Sequence, residues 1–593
     1  MKNNALALFL LVISLLVPKA EAALPSDAIP VDFKLWWDVP VRAYTGLALA
    51  HRVTYYEKEN RGITWSLDNA PSGLTVDETG TLSWASPSAG TYTDIVLTGT
   101  RATCNSTDYP SCSLTVSQTF TMVVGTSDFV FVDDTGTDNG GCGAIGSPCD
   151  TLTYTIANKI SGNDGKTIFL RAGTYAETFN TAMFASKDFG ASDYLEIRAY
   201  PGETAILDAS GGAGFNLDSS GQYIVISNME AKNANGDGNG SGNYGLNGTH
   251  QIVKDSISHN AFWNGNDNPT GLKLAGDDCV SNRVVSYSNT HDGGNANNAQ
   301  NWIIYNDTAD ALKWMLNSKG YLSTHTVKIK HTNAANSRAI IHNLESVSLP
   351  VTGFGTNSSL RYMVIWESNL ALGLTDPSAY TVGQMLVEHN TIIGASGNSD
   401  NISIQDAYGI TGPVYLRRNI SYQANGACGA GNDVRKHMQL WQFTSPLAVP
   451  RAFFYDSDYN LFRNTTSNND CWIIGSDGVS PTVLNLAGYQ ALTGTGIVRD
   501  PNSIASDPAF GNVGAGDLDI QDTSPAATDC GSGEYCGAFA PEVDYGTVGV
   551  QNTTLLNFDG PITTTTTSTT TSTTSTTTTT VVASGGGLIP WHG

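Results

Sequence analysis

From residue 223 onward the chain repeats one phrase: a short run of β-branched and aromatic residues, a polar residue that is often Asn, and then a second short run. It is read at 223–228 (YIVISN), 251–255, 279–285, 302–306, 339–343 (AIIHN), 385–390 and 414–419. Runs of this length at coil-like intervals predict parallel strands stacked as a solenoid. Inward Val and Ile would form an apolar column, and the turn asparagines would hydrogen-bond from coil to coil. Upstream, 63–98 alternates strand-like runs with turn signals at 71–74 (PSGL) and 78–80 (ETG), the pattern of a small β-sandwich. Between the two parts, FVFV at 129–132, a helical segment at 151–160, TIFL at 167–170 and the turn Gly173-Thr174-Tyr175 read as an opening cap.

Composition sharpens this picture. Only 14% of residues are charged while Gly is abundant, a balance suited to turn-rich β structure. The 54 acidic against 30 basic residues, net charge −24, argue against nucleic acid, whose phosphates need basic patches. An anionic polymer would bind only in a local basic groove or through bound cations. The apolar run at 5–17 after Lys2, followed by Ala20-Glu21-Ala22, reads as a signal peptide with its cleavage site. No later run approaches spanning length, so a secreted or surface location without a transmembrane segment is expected. In that compartment the nine cysteines read as disulfides plus one leftover: Cys104 with Cys112, Cys142 with Cys149, Cys530 with Cys536 and Cys428 with Cys471, leaving Cys279 free. The Thr/Ser run at 563–580 cannot bury a core and reads as an extended, O-glycosylated stalk. The expected division is therefore a signal peptide (1–22), a β-sandwich (23–126), a β-helix (127–545) and a disordered Thr-rich tail (546–593), in a monomer.

The segment at 129–177 resembles the entrance of right-handed parallel β-helix proteins of the pectin-lyase-like superfamily, which share the aromatic-Val-Asp start, the Gly-rich loop ending in Ser-x-Pro and the Gly-Thr-Tyr. The closing phrases Asp507-Pro508-Ala509-Phe510, Gly516-Asp517-Leu518, Ser524-Pro525-Ala526 and Gly537-Ala538-Phe539 resemble the superfamily's usual end, with departures at Asp519 and Thr528. The W-S-L, P-x-G-L, T-G-T-L and A-G-T-Y phrases of 65–92 resemble immunoglobulin-like modules of bacterial surface and secreted proteins, implying a spacer or carbohydrate-facing role. Trp65 and Trp84 would serve such a module as core residues or as sugar platforms. The fold class is thus all-β: an immunoglobulin-like sandwich, then a right-handed parallel β-helix.

The β-helix resemblance implies a polysaccharide partner bound along one sheet face. Two chemistries and one non-catalytic role stay open. For hydrolysis, which needs a pair of carboxyl groups, Gly276-Asp277-Asp278-Cys279 resembles the G-D-D-C element of polygalacturonases; a turn between coils accounts for the same residues. For β-elimination on a uronate polymer, a base and a positive group facing the developing enolate are required. Lys330 is the expected base, with Lys328 and Arg338 beside it. Lys328 and Lys330 share a face if their segment is a strand. Lys273, Trp302 and His331 are expected to bind substrate; Trp263, Trp302, Trp314 and Trp366 read equally as sugar-stacking rings or as core and turn-packing residues. Asp267, Asp277, Asp278 and Asp292 are the expected ligands of Ca2+, which prefers oxygen clusters. The non-catalytic reading uses the same solenoid as a carbohydrate-binding rod in an adhesion protein.

Overall fold

The computed structural model describes residues 32–556 except for residue 61 and stretches in the loops, the longest being 102–112, 375–384, 424–436, 443–453 and 492–501. The signal-peptide and Thr-run assignments, Cys104, Cys112, Cys428 and Cys471 lie outside the described residues.

Two sheets carry most of the chain. One has 20 strands and the other 11, and nearly all neighbours within them are parallel. Parallel neighbours far apart in sequence require the chain to return to the same edge on every turn, so each coil lies on the previous one and the body is a parallel β-helix. Its cross-section has three faces. Face A runs from Phe129–Val132 through Ile224–Ser227 to Phe454–Asp458, and face B from Gly173–Tyr175 through Glu230–Lys232 to Ile504–Ala505. Face C begins at Phe215–Leu217 and continues through Thr270–Leu274, Gln300–Asn306 and His325–His331.

Faces A and B are continuous in the longest strands, such as Leu312–Tyr321 and Arg338–Val347. The corner between them is one residue in the left-handed region, repeated coil after coil: Asn228, Asp255, Arg283, Asn317, Asn343, Tyr362, His389, Arg418 and Tyr459 have φ between 47° and 59°. Asn and Asp tolerate this conformation because their short side chains bond locally. The next position stacks as foreseen: Asn390 Nδ2 donates to Asn419 Oδ1 at 2.9 Å, and Asn419 Nδ2 to Asn460 Oδ1 at 3.0 Å. A second run joins Asn343, Asn317 and Asn282.

Of the recurring runs read from sequence, all lie in face A except 302–306, which belongs to face C. The face A strand of that coil is Leu312–Tyr321, whose apolar alternation is broken by Lys313 and Lys319. The interior is one continuous apolar column, with Ile226, Val253, Met315, Ile341, Val387 and Leu416 from face A opposite Leu272, Trp302, Val327 and Leu370 from face C. The opening helix Leu152–Lys159 caps it. Thr151 is its N-cap, and the Glu177 carboxylate accepts from the free amides of Leu152 and Thr153.

Ahead of the β-helix, Phe33–Gly125 form small sheets whose apolar sides meet around Val53, Leu82, Ile95, Leu97 and Met122. Trp65 and Trp84, at 8% and 4% exposure, are part of that core and offer no sugar platform. Cys142–Cys149 and Cys530–Cys536 are disulfides, and Cys279 is a buried free thiol.

Candidate functional site

The outer surfaces of the three faces are treated very differently by the rest of the chain. Face A is covered by the N-terminal module. Its outward column Val225, Ile252, Val280, Trp314 and Ile340 packs against Trp36, Trp37, Val41 and Tyr56. Trp314 meets Trp36 edge-on with ring centroids 5.0 Å apart and Tyr56 at 5.2 Å. The neighbouring outward column is polar and is matched from the module. Lys254 Nζ lies 2.7 Å from Asp38 Oδ2, 3.1 Å from His51 Nε2 and 2.8 Å from the carbonyl of Arg52, all in the buried seam. Burial, reinforced by the Lys254 charge, holds His51 neutral well below its ordinary value. Further along, Arg361 donates to the carbonyl of Lys58 and pairs with Glu388, which Arg418 also contacts at 2.8 Å. Burial opposes ionisation of Glu388, but Arg361 and its cationic neighbours outweigh it and hold the carboxyl below the usual range. Lys58, with burial as the main cause and Arg361 adding to it, is pushed down to about 7.

The later coils of face B are covered by the C-terminal segment, which doubles back over them. Phe539, Tyr545 and Val548 pack on Val364 and Ile393, and Leu555 reaches Val285, Tyr321 and Val347. In that seam Lys319 and Glu345 form a buried pair at 3.1 Å. Lys319 also donates to Asn552 Oδ1 and to the carbonyl of Thr554, while Glu345 accepts from the Gly549 amide at 3.0 Å. Gly549, at φ 79°, passes so close to Trp366 that a Cβ there would stand 2.6 Å from the indole nitrogen. The chain expected to be a free tail from residue 546 is therefore fixed to the solenoid as far as Leu556, because face B has apolar residues to cover.

On face C neither the N-terminal module nor the C-terminal segment packs among the described residues, although its outward Ile303 is 0% exposed and Lys273 and Lys328 are half-buried. Register fixes what it displays. Gly245, Lys273, Ile303, Lys328 and Thr352 follow one another across adjacent strands. The buried residues on either side, Leu272 with Leu274 and Val327 with Ile329, point inward, so Lys273 and Lys328 project outward by alternation. Lys330 occupies the register position opposite Tyr305, in the same strand as Lys328. Arg338 opens the face A strand Arg338–Val347, where its amide bonds the Ala311 carbonyl.

Three expected roles are corrected. Trp302 is 0% exposed in the central column, its indole donating to Ser281 Oγ at 3.1 Å, so it stacks on no sugar. It occupies an inward position of the strand, next to the outward position of Ile303. Trp314 is likewise fully buried under the module, and Trp366 lies against the C-terminal segment. Asp277 Oδ1 accepts from the amides of Asp278 and Leu312 at 2.9 and 2.8 Å, a turn role. Asp278 Oδ1 is held by Lys34 Nζ at 2.5 Å and by the Trp314 indole at 3.0 Å. The Oδ1 atoms of both aspartates are thus engaged by the fold. Asp267, Asp292 and the side chains of Lys330, His331 and Trp263 lie outside the described residues. The partners that commit Asp278 were missed because Lys34 is 244 residues away in sequence.

No family model matches the chain, and no curated protein matches it. Among solved structures, a pectate lyase (Pel9A) aligns over 70% of this chain and 100% of its own, with 13% identity and a TM-score of 0.35. A pectin methylesterase in complex with a hexasaccharide aligns over 70% of this chain and 98% of its own, with 10% identity and a TM-score of 0.15.

Proposed function

We propose that the protein is a secreted or surface polysaccharide-active protein working on face C, and that its reaction is β-elimination on a uronate polymer. The observation that carries this reading is the treatment of the three faces. The chain's own segments pack on face A and on the later coils of face B, while face C keeps outward Lys273 and Lys328 in a protein of net charge −24. Among the described residues no helix is long and apolar enough to cross a membrane. The N-terminal module, proposed to be immunoglobulin-like, then acts as a docked cover for face A rather than a loose spacer.

In the reaction Lys330, neutral, removes the proton on the carbon next to the uronate carboxylate. The electron pair forms the new double bond as the glycosidic bond to the adjacent carbon breaks, and the leaving oxygen takes up a proton. Lys273 and Lys328 balance the charge that builds on the carboxylate as it becomes enolate-like. No step is assigned to a metal. The turn bonds of Asp277 and the Lys34 contact of Asp278 support elimination over a polygalacturonase-like hydrolysis.

The test is product formation from uronate polymers, followed by ultraviolet absorbance of the unsaturated product and by reducing ends, with and without a chelator. Absorbance that vanishes in Lys330→Ala is the expected result. Reducing ends without absorbance would instead indicate hydrolysis, and binding without any product would leave the carbohydrate-binding rod.

A further inference from the structure

The seam between the N-terminal module and face A holds a small cavity at the first coils, with Arg42, Tyr44 and His51 on the module side and Phe169, Glu196 and Arg198 on the solenoid side. Its volume of about 20 Å³ leaves room for one or two water-sized groups. Arg198 points into the seam by alternation, because Ile197 beside it is 0% exposed in the central column. Both guanidinium groups are buried, Arg42 at 8% and Arg198 at 9% exposure. Arg42 gives Nη1 to Asp193 Oδ1 at 2.6 Å and Nη2 to the Tyr194 carbonyl, while its Nε meets no acceptor among the described residues. Arg198 reaches Glu196 Oε1 and the Ala50 carbonyl only at 3.4 Å each, and its Nε likewise meets no acceptor among them.

We propose that this cavity binds a small monovalent anion of the halide class, and that the anion helps to hold the module on the solenoid. An arginine offers donors only, so two buried Nε groups lining one cavity call for an acceptor with no hydrogens of its own to place. A buried guanidinium short of partners is costly, and a charge-assisted bond to an anion relieves that cost more fully than a neutral acceptor does. Size selects the class. A halide is close to a water molecule in size, whereas phosphate or sulfate, with its oxygens set around a central atom, exceeds the space. A cation would meet both guanidinium groups. Glu196 is the opposing charge: its Oε1 accepts from Ser227 Oγ at 3.2 Å and from Arg198, and its presence limits how tightly an anion is held. His51 adds no charge, since burial keeps it neutral. The site draws Arg42 from the module and Arg198 from the solenoid, so filling it favours the docked form.

The test uses the full chain at constant ionic strength, with chloride replacing methanesulfonate, an anion too large for the cavity. Urea unfolding reads stability, and broadening of the chloride NMR line reads binding directly. The expected result is a stability that rises with chloride and then saturates in binding terms, the folding equilibrium constant gaining about tenfold once chloride stands about tenfold above its dissociation constant. Arg198→Gln should abolish both the rise and the broadening. Glu196→Gln, which removes the opposing charge, should lower the dissociation constant by at least about threefold, and it decides the matter if Arg198→Gln does not fold. Equal stability in the two salts without broadening, as when water alone fills the cavity, overturns the inference. So does a chloride response that survives Arg198→Gln, or one that Glu196→Gln leaves unchanged.

Discussion

Lys254→Met should be among the most damaging single substitutions in the chain. The ammonium of Lys254 and the carboxylate of Asp38 are 3% and 0% exposed and 2.7 Å apart, with Thr54 completing the carboxylate's bonds through its amide and its hydroxyl at 2.6 Å. Two ions in such a place gain little net stability as a pair, but removing one strands the other without water. The expected cost is about 3–5 kcal/mol. Asp38→Asn together with Lys254→Met removes both charges and keeps an acceptor for Thr54, so most of that loss should return and the two sites should show strong coupling. Urea unfolding followed by tryptophan fluorescence suits the measurement, because Trp36, Trp37 and Trp314 lie in the same seam. A loss below about 1 kcal/mol in Lys254→Met, or a double variant no more stable than the single one, would refute the claim that the module is docked through a buried ion pair.

Acid should loosen the structure through its buried histidines. Burial holds His325 at about 4 and His437 at about 3, and His51 and His342 well below their ordinary value. The unfolded chain therefore takes up protons near pH 6.5 that the folded chain refuses. Stability is complete above that value and falls as pH drops below it, by up to about 1.4 kcal/mol per unit for each histidine, read from urea midpoints between pH 7.5 and 5. At alkaline pH the sign is the same for Lys58, which at about 7 in the fold makes stability rise further from pH 7 until the buried tyrosines begin to oppose it near their ordinary value. Lys58→Met should flatten that rise. Gly549→Ala should lift the C-terminal segment from face B at a cost of about 1–3 kcal/mol, seen as increased binding of a hydrophobic dye and faster proteolysis near residue 549.

The solenoid was readable from sequence because its coils repeat the same local chemistry. An apolar strand followed by a left-handed Asn or Asp is dictated within a few residues, and Asn390 and Asn419 were visible as ladder residues for that reason. The coil of Leu312–Tyr321 escaped because Lys313 and Lys319 interrupt its pattern. Both lysines are buried, and Lys319 is satisfied by Glu345 and by residues 552–554, beyond the reach of any local window. The same limit decided the site. Asp278 looked like a ligand until Lys34 came to it from the other end of the chain, and Trp302 looked like a sugar platform until the strand's phase turned it inward. Lys273 and Lys328 were accessible to sequence reasoning because strand alternation alone sets their direction.

The central claim, that face C is the working face while the chain's own segments pack on face A and on the later coils of face B, is tested most directly by hydrogen exchange with and without a bound uronate polymer. The account predicts new protection in Thr270–Leu274, Gln300–Asn306 and His325–His331 with little change in Phe33–Gly125 or in 537–556. Protection concentrated in the N-terminal module or on the C-terminal segment, with the face C strands unchanged, would contradict it.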